Sequence, residues 1–186
     1  MGVLTDFFVA SASELSAAFP NWQAVANEPI IREVINPFTG QKQTVSEWQP
    51  LPGSSANSTD VDLTPIISGL PVAEFKRIDH VKLARLQEIL CGDDVRAALE
   101  GLLRPARIHP ANEDTGLHQL PDRLAAQLSV LKPTEISAYA ERWSTSEEMT
   151  MDKFNAEDCA HVLRELVRLA QISATTNAGL FLLWSS

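Results

Sequence analysis

The chain reads as an α+β domain: a small antiparallel sheet that includes both chain ends, packed by about five helices. Three observations predict this. The chain opens on the apolar run Val3 to Ala10 and closes on Gly179-Leu180-Phe181-Leu182-Leu183-Trp184. Each run is too short to span a membrane and rich in residues that favour buried strands. Between them lie several segments with apolar residues at helical spacing, bounded by cap residues, glycines and prolines. Chain ends fray unless tied down, so two apolar ends point to two strands of one sheet.

The elements follow in order. Val3 to Ala10 is the first strand. Ser13 reads as the cap of a short helix, Glu14 to Phe19, that stops at Pro20. Ile30 to Ile35 and Gln43 to Trp48 then flank Asn36-Pro37-Phe38-Thr39-Gly40. Pro37 suits the second position of a type I turn and Gly40 the left-handed residue after it, so the pair reads as a hairpin. Gln49 to Pro71 is rich in Pro, Ser, Gly and Asn and reads as a long polar loop, with Leu63 to Leu70 apolar enough to dock. The whole chain, 1–186, forms one domain, with 21–71 as a peripheral excursion.

The remainder is mainly helical. Asp79 caps a helix to Leu90 that Gly92 stops. Asp93 or Asp94 caps the next, with Val95, Ala98, Leu99, Leu102 and Leu103 on one face, until Pro105. Ile108 to Gly116 reads as a loop and Leu117 to Leu120 as a short strand. Pro121 opens a helix carrying Leu124, Leu128 and Leu131. Thr134 caps another, with Ile136, Tyr139, Ala140 and Trp143 in register. Asn155 caps the last, whose stripe is Cys159, Val162, Leu163, Leu166 and Ala170. Thr175-Thr176-Asn177 turns the chain into the closing strand.

The 186 residues suffice for one hydrophobic core. With 24 acidic against 15 basic residues the formal charge is −9. That balance argues against nucleic acid and against a membrane surface as partner, since both need a basic face. The largest basic group, Lys76, Arg77, Lys82 and Arg85, is small. No basic leader with a cleavage site opens the chain, Asp6 stands where a myristoylation motif needs Ser or Thr, and no apolar run reaches membrane-spanning length. Cys91 and Cys159 are far apart and in no CxxC pattern, which fits free thiols in a reducing cytoplasm.

Chemistry is harder to find. Asp158, His161, Glu165 and Arg168 share one face of the last helix. A histidine between two carboxylates can act as a base or join a metal site, so Asp158, His161 and Glu165 form a candidate polar site. The same face lies opposite the apolar stripe, where alternating charges pair in water at i+3 and i+4. A metal site needs a further His or Cys nearby, so neither metal nor cofactor is expected. Gly92-Asp93-Asp94 matches the Gly-Asp-Asp turn of viral polymerases in letters only, because here it joins two helices. No nucleophile elbow, His-Glu-x-x-His, P-loop or Gly-x-Gly-x-x-Gly is present. Phe38 and Trp48, in the hairpin region with Trp22, are candidate anchors for a protein partner, with Trp48 packing under the long loop as the alternative. Trp143 and Trp184 read as core.

The opening Met1 to Phe8, the segment Asn36-Pro37-Phe38-Thr39-Gly40 and the ending Leu180-Phe181-Leu182-Leu183-Trp184 resemble a set of bacterial proteins of unknown function. The resemblance implies a bacterial, cytoplasmic origin and brings no activity, cofactor or catalytic residue with it. The expectation is a non-enzymatic acidic domain that binds another protein, in a regulatory or immunity-type role. The alternatives are an enzyme or small-molecule binder with a site assembled from Asp6, His118, Asp158, His161 and Glu165, and a self-associating structural protein.

Overall fold

Both chain ends lie side by side in the sheet. The computed structural model describes residues 4–20, 22–24, 30–35, 41–47, 67, 69–109 and 112–185. Strand β1 (Leu4–Ala10) pairs antiparallel with the closing strand β8 (Gly179–Ser185), from Leu4 opposite Ser185 to Ala10 opposite Gly179. Four further strands complete the sheet: β2 (Gln23–Ala24), β5 (Val72–Lys76), β6 (Pro105–His109) and β7 (Asn112–Gln119). Their order is β2-β6-β7-β8-β1-β5, and every pairing is antiparallel. The expected hairpin is present as a separate two-stranded sheet, β3 (Ile30–Ile35) with β4 (Lys42–Glu47).

The apolar ends are continuous rather than alternating because β1 and β8 are covered on both faces. Phe7, Val9, Leu180 and Leu182 point into the main core, against the long helices. Phe8, Ala10, Phe181 and Leu183 point the other way, into a second cluster with Leu15, Phe19, Trp22 and Ile67. The fold therefore has three layers: helices, sheet, and a thinner cover built around helix α1 (Ala12–Ala18). Phe8 stacks on Phe181 at 5.8 Å, and Phe19 meets Trp22 edge-on at 5.0 Å. Trp22 is thus core, not part of a peripheral excursion.

Seven helices stand among the described residues: α1, α2 (His80–Cys91), α3 (Val95–Leu102), α4 (Asp122–Val130), α5 (Pro133–Ser144), α6 (Glu147–Met151) and α7 (Ala156–Thr176). The caps follow local chemistry. Asp79 Oδ1 accepts from Lys82 N, and Gly92 ends α2 at φ 71°, a conformation open to a residue without a Cβ. Asp94, rather than Asp93, caps α3. Asn155 caps α7 through bonds from Glu157 N and Asp158 N. The predicted stripe on α7 is buried as expected, with Leu163 and Leu166 fully enclosed.

Some expected elements differ. Ser11, not Ser13, caps α1: its hydroxyl accepts from Glu14 N while Glu14 returns to Ser11 N. Lys132 and Pro133, not Thr134, open α5, with Glu135 accepting from Lys132 N. The expected loop at Ile108 to Gly116 belongs largely to the β6–β7 hairpin, with Ile108 opposite Gly116 and His109 opposite Asn112. β5 and α6 had no counterpart in the sequence-based expectation. Most of the expected loop at 49–71 lies outside the described residues. Of its apolar end, Ile67 is docked and buried.

Candidate functional site

The predicted polar trio divides. Asp158 and His161 line a cleft of about 280 Å³ between the end of β5, residues 152–154 and the first turns of α7. Asp158 Oδ2 is occupied there by Asn155 N at 3.0 Å, closing the helix cap. His161 is exposed, its ring edge-on to Phe75 at 6.0 Å. Glu165 is engaged elsewhere. It pairs with Arg168 at 2.8 Å, and Arg168 Nη2 donates to the Val72 carbonyl on the edge strand.

The rim of the cleft is unusual in its backbone. Arg77 and Lys153 both adopt left-handed φ, 66° and 62°, which costs a non-glycine residue energy. Arg77 Nη1 donates to the Asp152 carbonyl at 3.3 Å and its guanidinium lies 5.8 Å from the centre of the Phe154 ring. The Asp152 side chain meets Lys82 Nζ at 2.7 Å, and Lys82 also holds Asp79 at 2.9 Å. Lys82 is 4% exposed. Burial alone drives its ammonium down, but Asp152 and Asp79 outweigh that and hold it above the ordinary lysine value. Lys82 also presents its carbonyl to Trp143 Nε1 at 3.1 Å, so this one residue ties α2, α5 and the 152–154 turn together.

Asp6 and His118, the other groups weighed for a composite site, face opposite sides of the sheet. Asp6 shares its side with Phe8, and its Oδ1 is buried without a partner among the described residues. Burial, with Glu74 opposite it on β5, pushes its carboxyl up to about 6. His118 faces the helices, with Nδ1 3.0 Å from the Leu102 carbonyl. Its neighbour is His80, which sequence reasoning did not single out; the two are distant in the chain and no shared motif marks them. Among the described residues, no group of three or more His, Cys, Asp or Glu could hold a metal ion. Cys91 and Cys159 are free, and burial raises both thiols, Cys159 to about 11.

The β3–β4 hairpin is the other notable surface. Ile31 is 69% exposed and Ile35 67%, on one face with Glu33; Val34 is exposed on the other. Glu33 pairs across the hairpin with Lys42 at 3.0 Å. The candidate anchors Phe38 and Trp48 lie outside the described residues. Among those residues no helix is long and apolar enough to cross a membrane. No protein-family model, no curated protein and no solved structure matches the chain.

Proposed function

We propose that this chain is a non-enzymatic domain that binds another protein through the β3–β4 hairpin. The observation that carries this is the pair Ile31 and Ile35, both more than half exposed on a hairpin that, among the described residues, forms a sheet of its own. An isolated two-stranded hairpin is marginal in water, and exposed β-branched side chains add to it only when something covers them. The partner is a protein with a basic surface around an apolar strand or groove, because the chain carries −9. A second copy of the chain suits the β3 edge poorly. The two-fold antiparallel registers centred on β3 set Glu33 against Glu33 or Arg32 against Arg32, and like charges directly opposite destabilise a pair. A regulatory or immunity-type role in a bacterial cytoplasm fits such a domain, and the two free cysteines agree with a reducing compartment.

The test compares the wild-type chain with an I31S/I35S variant as bait at low and high salt, together with sedimentation of the wild type. The expected result is a monomer that retains a basic protein, with retention lost in the variant and weakened by salt. Recovery of the same proteins by both baits, or self-association lost in the variant, would overturn the proposal.

A further inference from the structure

His80 and His118 are each 6% exposed and meet edge-to-face with ring centres 4.4 Å apart. His80 is the first residue of α2, with its ring turned inward. Its Nε2 is buried without a partner among the described residues, and so is Nε1 of Trp184, whose ring lies 5.7 Å away. His118 Nδ1 faces the Leu102 carbonyl; a carbonyl only accepts, so Nδ1 carries the hydrogen and Nε2 the lone pair. The His118 ring lies over Gly116, where a Cβ would come within 2.6 Å of Nε2. The pair thus joins three things: the start of α2, the α3–β6 turn, and the β7–β8 part of the sheet.

We infer that the His80–His118 pair is an acid-sensitive bolt. While both rings are neutral, they pack the start of α2 and the α3–β6 turn onto the sheet; when either takes up a proton, that contact opens. The surroundings offer an imidazolium little. Asp79 precedes His80, but both its oxygens already serve Lys82, as acceptors for N and Nζ. Lys82 adds a positive charge, shared with Asp152. From the α3–β6 turn, backbone groups of Leu102 and Arg104 hydrogen-bond His118 and favour its protonated form, but burial and His80 outweigh them. From β1, β7 and β8 come Thr5, Gly116 and Trp184, all neutral, and the Thr5 hydroxyl is committed to the Ile78 carbonyl at 2.6 Å. Burial lowers His80 to about 4, against the pull of Asp79. Burial and then His80 lower His118 to about 3.

The direction follows. The unfolded imidazoles titrate near 6.5, above the folded pair. As pH falls through that value the unfolded chain takes up protons first, so stability is full above it and declines down to about pH 3, the lower of the two folded values. This inference does not rest on the hairpin.

Hydrogen exchange, corrected for its intrinsic pH dependence, tests it at pH 7 and pH 5 on the wild type and on H80F/H118N. Phenylalanine keeps a ring without titration, and asparagine keeps a donor for Leu102. In the wild type, protection at residues 80–84 and 102–104 should fall at least tenfold at pH 5 while α7 stays protected. The double variant should lose this difference. An equal fall in both proteins, or a fall spread evenly over α7, would overturn the bolt. If the variant does not fold, the imidazole resonances of the wild type decide: ordinary titration near pH 6.5 by both rings contradicts it, and protonation below about pH 5 of the folded pair supports it.

Discussion

Arg168 on α7 reaches the carbonyl of Val72 on the edge strand at 2.9 Å, while Glu165 one turn back holds the same guanidinium. An edge strand with open backbone groups is a template for another chain. Here a helix side chain covers part of that edge. Of the polar trio read from the sequence, Glu165 holds the arginine that reaches the sheet edge. Replacing Arg168 with Ala should cost little, about 0.5–1 kcal/mol, because the pair is partly in water. The larger effect is on association: R168A should sediment with a concentration-dependent shift that the wild type lacks.

Lys82 bears more weight. Lys82→Met removes the cation between Asp79 and Asp152 and leaves two carboxylates facing each other. Breaking a buried pair costs about 3–5 kcal/mol, and about 2 kcal/mol is expected here because the two carboxylates keep about a third of their exposure. Urea unfolding at pH 7 measures it. At lower pH, where the carboxylates protonate, the deficit should shrink.

The cap of α7 offers a cleaner local test. Asn155→Ala removes both bonds that its side chain accepts from the first turn, while the backbone N–H of residue 155 still donates to Asp158. A loss of about 1 kcal/mol is expected in denaturant unfolding. If Asp158 served chiefly as a catalytic group, its own replacement by Ala would leave stability unchanged; the capping box predicts a loss of similar size.

Asp6 gives a pH effect of opposite sense to the histidines. Its carboxyl is raised to about 6 in the fold against 3.8 unfolded. The folded chain therefore holds this proton more tightly, and its contribution is lost as pH rises through about 6. Asp6→Asn should raise the thermal midpoint at pH 8 and leave it nearly unchanged at pH 4. Thermal melts at the two pH values decide it; an equal shift at both contradicts the buried, proton-holding carboxyl.

The parts of the fold legible in the sequence were those where local pattern and tertiary need coincide. The Phe7-Phe8 and Leu182-Leu183 runs announced strands covered on both faces. The α7 stripe, Asp79, Gly92 and Asn155 announced their helices. β5 was hidden because Val72 to Lys76 is a five-residue alternation beside a polar stretch. The β6–β7 hairpin was hidden because Asn112-Glu113-Asp114 is polar and a proline, Pro110, precedes it in the sequence. Trp22 was misplaced because its burial depends on Phe19 and the second face of the sheet, which no local pattern shows. The His80–His118 contact is set by topology alone. His161 and Asp158 share a face by simple helical spacing, but their cleft needs β5 and the left-handed turns at Arg77 and Lys153.

The proposed function stands or falls on whether Ile31 and Ile35 meet a basic protein partner. Titration calorimetry of the captured partner, once purified, against the wild type and I31S/I35S decides it, with circular dichroism confirming the same fold. Truncating central apolar anchors costs at least about 1–2 kcal/mol, so affinity should fall roughly tenfold or more, with salt weakening the wild-type complex. Equal affinity of the two proteins would contradict the hairpin as the binding element.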